Sequence, residues 1–174
     1  NGNVLGASFA LVGETTRFRM YGPVTGHTFS ISVAQAFPIS SAFLSNTTIR
    51  ADLRKYFHVG GDLLLALRWN GFGSFGKNPF VSYFGGNNQV RSVPFYSMIG
   101  TEGWYGNAEI RIPLINVAST LIGQIGPIRG TLFMDIARSR MKGQPWGYTR
   151  YIGSDPEGNP ILIEYDALGS IGFG

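Results

Sequence analysis

The chain contains no cysteine. That absence excludes a disulfide-stapled scaffold and any thiolate metal site, and it fits an oxidising compartment. Charge is scarce as well. Only 14% of residues are Asp, Glu, Lys or Arg, against roughly a quarter in an average soluble domain. The net charge of +4 is a mild excess and no long run of like charges exists, so a nucleic-acid partner is not indicated. No stretch approaches the roughly 18 apolar residues of a transmembrane helix; the longest candidate, Leu63 to Leu67, is cut off by Arg68. No segment carries a helical stripe. His27 and His58 lack the spacing of a zinc site, and no cofactor is expected. The chain opens without an initiator methionine or signal peptide and ends at Ile171-Gly172-Phe173-Gly174, which reads as mid-strand. A mature or partial chain is expected.

Glycine and aromatic residues are abundant, with 25 glycines and 14% Phe, Trp and Tyr. The glycines have no period of three, which excludes collagen, and an apolar content of 44% excludes disorder. A length of 174 residues allows a single domain, expected over residues 1–174.

The dominant pattern is alternation, the signature of strands. Ile49, Ala51 and Leu53 alternate with Arg50, Asp52 and Arg54; Phe29, Ile31 and Val33 alternate with Thr28, Ser30 and Ser32. Leu63, Leu65, Leu67 and Trp69 oppose Asp62, Ala66, Arg68 and Asn70, with Leu64 the exception. Ile110, Ile112 and Leu114 oppose Asn107, Glu109 and Arg111; Leu132, Met134 and Ile136 oppose Thr131, Phe133 and Asp135. A final strand is expected from Ile163 to Phe173 and a first one over Val4 to Val12. These make seven strands of about ten residues, the length a tilted strand needs to cross a bilayer. Aromatics cluster at strand ends, where interfacial girdles sit. Alternation alone does not say which face is buried. The low charge and the girdles favour an all-β, antiparallel transmembrane β-barrel over a soluble β-sandwich. Residues 71–103 and 139–160 are then expected as long outer loops, and 57–61 as a short periplasmic turn.

One segment, Gly71-Phe72-Gly73-Ser74-Phe75-Gly76, matches the dinucleotide-binding fingerprint by letters. No helix start follows it, so a glycine-rich loop is expected there instead of a phosphate cradle.

Four segments carry more information in their order. Gly22-Pro23-Val24-Thr25-Gly26 leads into a strand. Gly85-Gly86 is followed by Val90-Arg91 and, after Pro94, by Phe95. Then come Glu109-Ile110-Arg111-Ile112-Pro113-Leu114 and Phe133-Met134-Asp135-Ile136-Ala137. This succession resembles the barrel part of the bacterial surface-antigen superfamily, the outer-membrane assembly barrels of the BamA, TamA and FhaC type. The loop glycine after the arginine is missing here, the aromatic is displaced to Phe95, and Ala137 stands where the family has glycine.

The resemblance implies about seven to eight strands of a sixteen-stranded barrel in the bacterial outer membrane. It implies a lumen-inserted loop whose Arg91 is anchored by Asp135, with Glu109 on the same wall and Glu164 or Asp166 within reach. It also implies a role in insertion or translocation of proteins, without chemical catalysis. Its partners would be outer-membrane lipid, unfolded outer-membrane clients, and periplasmic or lipoprotein components. A small eight-stranded structural barrel or pore, and a soluble β-sandwich binding through its aromatics, remain as alternatives.

Overall fold

The computed structural model describes residues 3–19, 22–115, 117–126, 128–166 and 168–174. Among them every regular element is a β-strand. They are β1 (Gly6–Glu14), β2 (Arg17–Arg19), β3 (Gly22–Ala36), β4 (Asn46–Gly60), β5 (Leu63–Gly76), β6 (Ser82–Phe84) and β7 (Met98–Gly100). They continue with β8 (Glu102–Ile115), β9 (Ala118–Thr120), β10 (Gly123–Ile125), β11 (Ile128–Arg140), β12 (Tyr148–Ser154), β13 (Pro160–Tyr165) and β14 (Leu168–Phe173).

The main sheet is an antiparallel meander in the order β1-β3-β4-β5-β8-β11-β14, with β2 paired to β3. Its register lines up the alternating residues across the whole width. One row runs Gly13, Phe29, Leu53, Trp69, Gly106, Ile136 and Gly169. A row on the opposite face runs Glu14, Thr28, Arg54, Arg68, Asn107, Asp135 and Ser170. One face of the sheet is therefore apolar and the other polar. Leu64, the exception in the alternation, sits on the polar face and is buried. The main sheet is open: β1 pairs only with β3, and β14 only with β11, among the described residues. No closed barrel forms among the described residues: the meander itself has seven strands, one short of the roughly eight that closure requires.

Six expectations are corrected. The long strands exceed ten residues: β3 and β4 have 15, β5 and β8 have 14, and β11 has 13. The segment Gly71 to Gly76 is not a loop but the second half of β5. A Cβ at Gly71 would lie 2.5 Å from the Trp69 ring, and one at Gly73 would lie 2.6 Å from the Phe75 ring. These glycines leave room for neighbouring aromatics that cover the bare backbone, so the strand continues through them. The turn after β4 is confined to Gly61 and Asp62, because pairing with β5 persists to Gly60. Gly60 and Gly61 both take positive φ, which glycine alone adopts without strain.

The last predicted strand is two strands with different partners: β13 pairs with β12, and β14 pairs with β11. Alternation is unbroken across the junction, so period two conceals the break; Ala167 lies outside the described residues. β12 and β13 form a hairpin whose first strand and turn fall inside what was expected as the 139–160 loop. With β7 and β6 they build a second sheet in the order β13-β12-β7-β6. The other predicted loop shortens to residues 77–101, which contain β6 and β7. This loop packs on the polar face. Phe84, Val90, Val93 and Met98 from it form a buried cluster with Tyr105 of β8, Ala137 of β11 and Tyr148 of β12. Phe84 meets Phe72 edge-on at 5.2 Å and stacks near Tyr105 at 6.2 Å. The buried Phe, Val and Met side chains of this cluster each contribute roughly 1.5–3 kcal/mol.

The ring-over-glycine packing leads to a first expectation. Gly71→Val should displace Trp69 and cost about 1–3 kcal/mol. Gly126→Ala, with nothing within 4 Å of the added carbon, should leave the urea midpoint unchanged.

Candidate functional site

The centre of the polar face is a carboxylate with four donors. Asp135, on β11, is fully buried. Its Oδ2 accepts from the Arg91 backbone N at 3.0 Å and from Arg91 Nε at 2.9 Å. Its Oδ1 accepts from Arg91 Nη2 at 2.6 Å and from Asn107 Nδ2 at 2.9 Å. Arg91 Nη1 donates to Glu109 Oε1 at 2.8 Å. The guanidinium carbon lies 3.7 Å from the Phe133 ring centroid. Arg91 thus spans β8 and β11, with its fork on one carboxylate, its remaining nitrogen on a second, and its plane against an aromatic. The hydrogen-bonded Asp135 carboxylate raises the Arg91 guanidinium above its ordinary value. A planar, delocalised cation suits all three contacts at once; an ammonium would not.

The chain before Arg91 is shaped to deliver it. Gly85 and Gly86 both have positive φ. Gly85 N donates to Gln89 Oε1 at 2.6 Å, and Gly86 and Val90 exchange backbone hydrogen bonds at 2.9 and 3.1 Å. This tight turn buries Val90 completely and leaves Arg91 facing the sheet. Phe95 is exposed, but its ring occupies the space a Gly86 side chain would need, 2.3 Å from the added carbon. The displaced aromatic of the motif therefore still packs on the glycine pair.

Two further side chains hold the loop backbone. Asn107 Nδ2 also donates to the Gln89 carbonyl at 2.6 Å, and Arg68 Nη1 donates to the Asn88 carbonyl at 2.9 Å. Arg68 in turn grips Asp52 with Nε and Nη2, as does Arg54. Arg111 grips Glu109 through Oε2. The polar face therefore sets four guanidiniums against three carboxylates in two clusters, Arg54–Asp52–Arg68 and Arg111–Glu109–Arg91–Asp135, which the loop backbone bridges through Arg68 and Asn107. Beside it lies a cleft of about 490 Å³ lined by Arg54, Arg68, Arg91, Glu109 and Arg111.

The structure brings together Arg91, Asp135, Glu109, Phe133 and Arg111, with Gly85, Gly86, Val90 and Phe95 shaping the loop. It does not bring in Pro113 and Leu114. Pro113 pairs with Arg129 at a register irregularity near the end of β8, and Leu114 stands exposed on the apolar face. Glu164 lies in the β12–β13 hairpin, where it lines a small pocket with Asp166 and Tyr165, and the carboxylates on Arg91 are those of Asp135 and Glu109.

Sequence reasoning put Arg68 and Asn107 on the polar face but gave them no task. Their register pairing across β5 and β8 was the missing signal. The role of Gly172 was also hidden. A Cβ there would fall 2.5 Å from the Phe133 ring, so this glycine lets Phe133 pack against β14 while Arg91 covers its other side.

No protein-family model, no curated protein and no solved structure matches the sequence.

Asp135→Ala is expected to destabilise the fold by about 3–5 kcal/mol, because a guanidinium is left short of its partner. Protease cleavage between Phe84 and Trp104 should rise accordingly. Unchanged cleavage there would mean that this ion pair does not hold the loop. Arg91→Lys should rescue only a small part of the protection, since an ammonium cannot hold Asp135 bidentately and also reach Glu109.

Proposed function

We propose that the chain is part of a transmembrane β-barrel of the bacterial outer membrane, of the surface-antigen type, with a role in inserting or translocating other proteins. The observation that carries the membrane placement is inverted polarity. The apolar face of the sheet stands open, with Phe9 70%, Leu132 51% and Ile171 83% exposed, whereas Asp135 on the opposite face is 0% exposed. Such an extended apolar surface demands a partner, and lipid on one side with a polar lumen on the other satisfies both faces. The outward stretch from Trp104 to Leu114 is about 33 Å along the strand at ~3.3 Å per residue. A tilt of roughly 40° reduces that to about 25 Å, the height of an outer-membrane apolar band. Lys55 is the one Lys or Arg on the outward face of β4, and its ammonium lies 5.5 Å from the Phe57 ring centroid.

The surface-antigen reading is supported by the same residues that carry the sequence resemblance: the loop arginine meets the carboxylates of the two motif-bearing strands, β8 and β11. A barrel with a latched lumen loop works by pairing its strand edges with an incoming client. Its partners are then outer-membrane lipid, unfolded outer-membrane proteins, and periplasmic or lipoprotein components.

Two measurements test this. Leu132→Arg should cost about 2–4 kcal/mol in vesicles, and recovery of the wild-type protein in the aqueous fraction without detergent would overturn the membrane placement. The complete protein in vesicles should speed the folding of an unfolded small barrel client, followed by its heat-modifiable gel mobility. Client folding no faster than in empty vesicles would leave a passive structural barrel or pore.

A further inference from the structure

All three tryptophans of the chain, Trp69, Trp104 and Trp146, line one groove on the outward face. It measures about 290 Å³. It lies at the end of the sheet that carries the long loops. A second outward groove of about 420 Å³, lined by Leu53, Leu67, Met134 and Ile136, shares Trp69 with the first. The two form an apolar track from the rim toward the middle of the sheet. Its lining includes Gly71 and Gly73, over which the Trp69 and Phe75 rings fold, and Gly106 and Ala108, whose small size leaves depth between bulky walls.

Cations border the upper end of this track. Arg138 is exposed on the outward face of β11, paired with Trp104. Arg140 lies 4.6 Å from the Trp146 ring centroid and donates Nε and Nη2 to Glu102. Lys142 is exposed, and its Nζ reaches the Gly76 carbonyl at 2.7 Å, next to Phe75. Glu102, the one carboxylate of this rim, is thus occupied by Arg140. Arg138 and Lys142, beside the lining residues Trp104 and Phe75, leave a positive balance bordering an apolar, aromatic-walled track.

We propose that this track binds a phosphate-headed, acyl-chained lipid from the leaflet on the long-loop side. The phosphate meets the cationic rim formed by Arg138 and Lys142, and an acyl chain runs down past Trp69. A neutral-headed lipid would satisfy the groove but not the rim; a soluble anion would satisfy the rim but not the groove. The proposal rests on the membrane placement above, and its test separates the two.

The three tryptophans are the intrinsic reporters. The complete protein is reconstituted in phosphatidylcholine vesicles containing small fractions of either brominated phosphatidylglycerol or brominated phosphatidylcholine. Brominated phosphatidylglycerol should quench tryptophan fluorescence at about a fifth of the mole fraction needed for brominated phosphatidylcholine, the selectivity worth about one interfacial cation. Arg138→Gln with Lys142→Gln should abolish the difference while quenching by both lipids persists. Should that double variant not fold, Gly106→Leu, which fills the track beside Ile136, should also reduce the preference. Equal quenching by both lipids in the wild-type protein, or a preference untouched by the variants, overturns the lipid site and leaves the membrane placement standing. Quenching by neither lipid overturns both.

Discussion

The carboxylate of Asp135 is the constraint around which the polar face is organised. Removed from water, an ionised carboxyl must be met by donors, and here one residue supplies three of the four through its backbone and side chain. The position of Arg91 is thereby fixed to the sheet. With it are fixed the Gly85-Gly86 turn, the buried Val90, and the aromatic cluster of Phe84 and Tyr105. The apolar cluster supplies most of the burial, but apolar contacts are non-directional. The ion pair sets which way the loop lies on the sheet.

The outward face follows a different rule. Its rings lie over glycines, its charges gather at the long-loop rim apart from Lys55 and Arg17, and its Leu, Ile and Met side chains are widely exposed. The glycine content and the charge scarcity of the composition have one origin. Strand glycines make space for neighbouring aromatics, and ions other than Lys55 and Arg17 keep to the covered face, the loops and the rim.

Much of this was legible from residue order. The faces of β4, β5, β8 and β11 followed from alternation, and Arg91, Asp135 and Glu109 followed from the motif succession. What escaped was whatever depends on register or on a change of partner. The sequence between Ile163 and Phe173 alternates without a break, yet it serves two sheets, because period two reports a side chain's face and not its neighbour. Gly71 to Gly76 read as a loop because glycine lowers strand propensity in isolation; its cross-strand and same-strand aromatics reverse that. Asn107 and Arg68 could not be assigned to the loop backbone, since a contact with a carbonyl leaves no mark on the identity of the residue that contributes it.

The distribution of the loop's attachments gives the molecule a line of separability. Arg91 and Asn107 tie the loop to β8 and β11, and Arg68 ties it to β5. The ion pair across the β4–β5 boundary ends on Asp52 of β4, which does not touch the loop through any of these bonds. Parting the sheet between β4 and β5 would break that pair, the strand ladder, and the bonds by which Asn78, at the start of the loop, holds Ser45 and Asn46. The stretch from Gly85 to Arg91 would then travel with the β5, β8 and β11 half.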